Sequence, residues 1–63
     1  MGMILIAGKE LQTSSGTTIE TAVSENGFHP DSYLYLIGGK PVPMDTVIGD
    51  DEVVKAMRVA SGG

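Results

Sequence analysis

Apolar positions along this chain fall into short runs separated by turn-forming residues, and the runs change period once. Met3-Ile4-Leu5-Ile6-Ala7 is an aliphatic stretch closed by Gly8-Lys9-Glu10, and Leu11-Gln12-Thr13 resumes extended chemistry, so an opening β-hairpin is predicted. Ser14-Ser15-Gly16 breaks the strand. In Thr17-Thr18-Ile19-Glu20, a Thr17 hydroxyl can accept from the Glu20 N–H while the Glu20 carboxylate reaches back, the capping box that starts a helix. Ile19, Ala22 and Val23 then take the i, i+3, i+4 spacing of one apolar stripe, with Glu20, Thr21, Ser24 and Glu25 opposite. Asn26-Gly27 supplies the left-handed stop, Phe28 is placed to fold back on the last turn, and His29-Pro30-Asp31 is a connecting turn.

The second half returns to period two. Tyr33-Leu34-Tyr35-Leu36-Ile37 is apolar on both faces and predicts a strand with a central position or a contact surface. Gly38-Gly39 turns the chain, and Lys40-Pro41-Val42-Pro43 suits only a short edge strand, because proline lacks the ladder N–H. Met44 to Asp51 reads as a loop with Val47 and Ile48 tucked inward, and Glu52 to Val59 is the last strand. The order is β-β-α-β-β-β. It predicts an α+β domain over residues 1–59, a mixed sheet of four to five strands with one helix packed on one face, and a tail over residues 60–63. Leu34, Leu36, Val54 and Ala56 are expected to face the helix, leaving Tyr33, Tyr35, Met57 and Val59 on the open face.

Composition narrows the function classes. With 63 residues there is room for one small domain, whose core must be compact. There is no cysteine, which removes disulfides, thiol nucleophiles and Cys-type zinc sites and suits a reducing compartment. Eight acidic residues against four basic ones give a net charge of -4, and Lys9, Lys40, Lys55 and Arg58 are scattered along the sequence, which counts against a nucleic-acid partner. The apolar runs fall far below the roughly 18 residues of a membrane span, and the Met1-Gly2 start lacks the Ser or Thr of a myristoylation motif, which has Ile6 in its place. The expectation is a soluble, cytoplasmic protein that engages neither nucleic acid nor membrane.

Candidate chemistry in the body of the chain is sparse. His29 is the only histidine and sits among turn residues, so no metal cluster or triad can be built on it by spacing. The serines have no local base or nucleophile elbow. Asp50-Asp51-Glu52 lacks the spacing of a calcium loop. Gly38-Gly39-Lys40 is followed by proline and is a turn, not a phosphate loop. The methionines suit gap-filling or surface contact. The expectation is therefore a protein that is not an enzyme and binds no metal and no cofactor of its own.

What remains is the end of the sequence. Gly62-Gly63 follows closely on a strand, and two residues without side chains can thread a narrow channel in which β-carbons would clash. The carboxylate of Gly63 is a poor electrophile, but joining it to AMP would open it to attack by sulfur or an amine. The protein would then be a carried group.

In three features the chain resembles the β-grasp sulfur carriers and ubiquitin-like modifiers, and within them the small archaeal modifier proteins and the thiamine-pathway sulfur carrier. These are the β-β-α-β-β-β order, the Gly39-Lys40-Pro41-Val42-Pro43 segment after the central strand, and Val53-Val54-Lys55-Ala56-Met57-Arg58-Val59 running into Gly62-Gly63. The chain is shorter than the small subunit of molybdopterin synthase usually is. The resemblance implies a ubiquitin-like β-grasp fold and a Gly63 adenylated by an activating enzyme of the ubiquitin-activating type, which uses ATP. The product is a thiocarboxylate that donates sulfur to an accepting enzyme, or an isopeptide bond to a lysine of a target protein; Gly62 is the slim neighbour. It further implies a docking face for the activating enzyme at Tyr33, Tyr35, Met57 and Val59, with Arg58 able to meet an acid. Lys9, Lys40 and Lys55 are possible acceptors of further modifiers. The alternative is a β-grasp protein-interaction module whose tail has no function.

Overall fold

The computed structural model describes residues 1–59 of the chain. The elements are β1 (Gly2–Ile6), β2 (Lys9–Thr13), α1 (Ile19–Glu25), a one-turn 3-10 helix (Pro30–Ser32), β3 (Tyr33–Ile37), β4 (Lys40–Val42) and β5 (Val53–Arg58). The strands form one five-stranded sheet in the order β2-β1-β5-β3-β4. β1 and β5 run parallel and all other neighbours antiparallel, giving a mixed α+β fold consistent with the expected β-grasp.

Both hairpins turn on two residues of positive φ, Ala7 (50°) with Gly8 (76°), and Gly38 (59°) with Gly39 (81°). That backbone matches the twist of the flanking strands. Gly39 and Gly38 adopt it without cost, whereas Ala7 carries a β-carbon into the left-handed region. β4 lies at the sheet edge, as its proline requires.

α1 is capped differently from the sequence expectation. Thr18, not Thr17, is the N-cap: its Oγ1 accepts from the Thr21 N–H at 3.3 Å and donates to the Thr21 hydroxyl at 2.8 Å. The capping box with Glu20 fails because the β4–β5 loop takes the Glu20 N–H and the Ser14 carbonyl takes the Thr17 N–H (3.2 Å). The Glu20 N–H donates to the Met44 carbonyl (2.9 Å), the Ile19 N–H to Thr46 (3.0 Å), and the Thr17 carbonyl accepts from Ile48 (2.8 Å). Tertiary partners thus satisfy donors that a helix start leaves open. The C-terminus ends as expected, with Gly27 at φ 85° and the pair Phe28 N–H to Val23 carbonyl and Gly27 N–H to Ser24 carbonyl of a Schellman motif.

The core lies between the helix and one sheet face. Ile4 and Ile6 of β1, Ile19 and Val23 of α1, Ile48 of the loop and Val54 of β5 are fully buried, with Ala22 and Tyr35 close to it. Of the two loop residues expected inside, only Ile48 is; Val47 is 54% exposed. Val47 forms an isolated antiparallel bridge to Thr18, and the alternation of an extended segment sends its neighbour Ile48 inward and itself outward.

Candidate functional site

β5 is the third of five strands, paired on both sides, and it is the strand from which the terminal residues follow in sequence. Its parity is fixed by Lys55. A lysine between Val54 and Ala56 keeps its ammonium in water only if odd-numbered positions point away from the helix. Val54 is accordingly buried, while Val53 and Met57 are 49% and 47% exposed.

The register carries that parity to the neighbouring strands. Leu34 stands opposite Met57, Leu36 opposite Lys55, Met3 opposite Val53 and Leu5 opposite Lys55. The open face of the sheet therefore presents Leu34, Val53 and Met57, together with half-buried Met3, Leu5 and Leu36, around Lys55. Exposed apolar side chains grouped on one sheet face make it the candidate contact surface.

This corrects the face assignment made from β3. Tyr35, expected on the open face, is 2% exposed and packs in the core, and Tyr33 lies on the same side; Leu34 and Leu36, expected inside, are outside. The aromatic rings win the inner positions because they have partners there. The Tyr35 hydroxyl donates to the Pro30 carbonyl at 2.8 Å, so its polar end is satisfied at the core margin. Tyr33 meets Phe28 edge to face, centroids 6.1 Å apart at 85°, closing the end of the core beyond the short helix. Burial, with smaller effects of Tyr33 and Asp31, pushes the Tyr35 phenol up to about 12.

Of the other expected docking residues, Met57 is on the open face. Arg58 is exposed but opposite Tyr33, on the helix side. Val59 is 42% exposed and its N–H donates to the Ser32 carbonyl at 3.0 Å. Lys9, Lys40 and Lys55 are all exposed. Gly62 and Gly63 lie outside the described residues. Reading the sequence missed Leu34, Leu36, Leu5 and Val53 as surface candidates. The signal that reaches them is Lys55, whose parity, once the strand pairing is known, dictates every neighbour.

The remaining polar groups are held locally. His29 is exposed at the start of the 3-10 turn. In the acidic run, Glu52 accepts from the Gly49 N–H at 2.7 Å, and Asp50 accepts from the Met1 ammonium at 2.8 Å and from the Ser15 hydroxyl. Those two hydrogen bonds hold the Asp50 carboxyl below its ordinary range. Among the described residues no group of three or more His, Asp or Glu is placed to hold a metal ion, and no helix is long and apolar enough to cross a membrane.

No protein-family model and no curated protein matches this chain.

Proposed function

We propose that this chain is a ubiquitin-like protein modifier or sulfur carrier that acts through the carboxylate of Gly63. The observation that carries the reading is that the sequence Ala60-Ser61-Gly62-Gly63 follows β5, the strand held by neighbours on both sides, after the single residue Val59. A strand so held gives a docking enzyme a fixed point from which to locate a slim terminus. The apolar face around Met57 is the natural contact surface for that enzyme.

The chemistry conserves atoms simply. A Gly63 carboxylate oxygen attacks the α-phosphorus of ATP held by the activating enzyme, and pyrophosphate leaves. A sulfide nucleophile, or a target lysine amine, then attacks the carbonyl carbon and displaces AMP, leaving a thiocarboxylate or an amide. This protein supplies the reacting carboxylate and the docking surface, and the activating enzyme supplies ATP and catalysis.

A second reading, a docking module with an inert tail, is favoured by the same apolar face and needs no chemistry at Gly63. Activating-enzyme-dependent exchange of pyrophosphate into ATP separates the two. The full chain stimulates exchange and a chain lacking Gly62 and Gly63 does not, while both show the same unfolding transition; equal stimulation by the shortened chain contradicts the proposal.

A further inference from the structure

The open face of the sheet is apolar except at its middle. Read across all five strands, one row of paired positions runs Glu10, Leu5, Lys55, Leu36, Pro41. Around Lys55 the outward positions of the three middle strands are Met3 and Leu5 on β1, Val53 and Met57 on β5, and Leu34 and Leu36 on β3. The one charge among them is the exposed Lys55 ammonium, ringed by aliphatic and methionine side chains.

The fold does not neutralise that charge. The ion pair formed among the described residues joins Met1 to Asp50, and none forms at Lys55. Glu10, the acidic residue of the same row, stands two strands away on the sheet edge, about 10 Å at the backbone.

A lone cation in this position has two consequences. When a partner covers the face, the ammonium leaves water, and a buried charge without a counter-charge is strongly unfavourable. A wholly apolar partner surface is therefore rejected, and one that brings a carboxylate to the centre is accepted. The second consequence concerns another copy of this chain. A two-fold contact uses the same patch on both molecules, so stacking two open faces about Lys55 brings the two ammonium groups together. Like charges set against each other across an interface repel.

We propose that Lys55 is the specificity-determining residue of the open face: it keeps copies of this chain apart and selects a partner whose contact surface is apolar around one central carboxylate. Leu34, Val53 and Met57 supply apolar area to any partner, and Lys55 adds the repulsive element that discriminates among them. The inference rests on the open face being a docking surface, which both readings above share, and does not depend on the chemistry of Gly63.

The chain itself supplies the probe. Lys55→Glu presents the same apolar ring around a central carboxylate, the chemistry that the proposal assigns to the partner. Isotope-labelled wild-type chain is titrated with unlabelled Lys55→Glu chain and read by backbone amide shifts. Saturable shifts are expected, centred on Leu5, Leu36, Lys55 and Met57, and the same when Gly62 and Gly63 are deleted from both chains. Wild type titrated with wild type, and Lys55→Glu with itself, show none up to millimolar concentration, whereas Lys55→Met, which lacks the repelling charge, associates with itself. Lys55→Met binds the Lys55→Glu chain about tenfold or more weakly than wild type does, because the carboxylate is then buried unpaired. The spectra report that each variant remains folded. The proposal is overturned if wild type associates with itself through this face as tightly as the mixture does, or if Lys55→Met binds the Lys55→Glu chain as tightly as wild type. Self-association of Lys55→Met without association of the mixture overturns it by showing a face that docks but is not selected by Lys55. No association in either case overturns it by showing that the face docks nothing of this chemistry.

Discussion

Leu34 and Met57 face each other across the β3–β5 ladder on the side of the sheet away from the helix, 42% and 47% exposed. Neither contributes to the buried core, so the pair separates docking from stability. Met57→Glu and Leu34→Asp should each change folding stability by no more than about 0.5 kcal/mol, the usual range for surface substitutions. If the open face is where the activating enzyme docks, either variant raises the concentration needed for half-maximal pyrophosphate exchange about tenfold or more, the loss expected of an interface hot spot. Unchanged kinetics in both variants would remove this face from the account.

Tyr35 gives a pH dependence with a definite sign. Its phenol loses a proton near pH 10 in the unfolded chain and near 12 in the folded one. Between these values the unfolded chain has released a proton that the folded chain keeps, so stability falls as pH rises from about 10 to 12, and the contribution is complete below 10. Urea unfolding across this range, alongside phenolate absorbance, should show the decline. Tyr35→Phe should flatten it and cost about 1 kcal/mol at neutral pH for the lost bond to Pro30.

Gly2 is a close-approach glycine. An added β-carbon would lie 2.4 Å from Ile48 Cγ2 and 3.0 Å from both the Gly49 carbonyl and Thr13 Oγ1. Gly2→Ala should therefore destabilise by about 1–3 kcal/mol through overpacking, seen as a lower denaturation midpoint with unchanged slope.

Thr13 Oγ1 in the same corner is buried without a hydrogen-bond partner. Thr13→Val keeps the shape and removes the unsatisfied oxygen, so a gain of about 1 kcal/mol is expected; a loss would show that the hydroxyl has a partner.

Ala7 holds φ 50° in an exposed hairpin turn. Ala7→Asn suits that conformation better and should raise stability by about 1 kcal/mol, measured by thermal or urea unfolding.

The elements of the fold were legible because local rules and tertiary demands agree over most of the chain. The stripe Ile19, Ala22 and Val23 is the buried face of α1, Gly27 ends it, and Pro41 marks an edge strand. The helix cap was displaced by one residue because the Met44 carbonyl, remote in sequence, claimed the Glu20 N–H, and the Ser14 carbonyl claimed the Thr17 N–H, the two donors that a local box would have used. β3 was misread for a different reason. Five apolar residues in a row carry no parity, and a one-residue choice flips every side chain. Only the pairing of Tyr35 with Ala56, and a carbonyl for the Tyr35 hydroxyl, decides which side is inner.

The central claim is that the Gly63 carboxylate is the reacting group, and the most direct measurement is the intact mass of this protein, carrying no C-terminal tag, recovered from cells that make its activating enzyme. A mass increase equal to one oxygen replaced by sulfur, or lysine-linked adducts, is predicted, and either must vanish when Gly62 and Gly63 are deleted. An unmodified mass, with no adenylate formed when ATP and the activating enzyme are supplied, would contradict the claim.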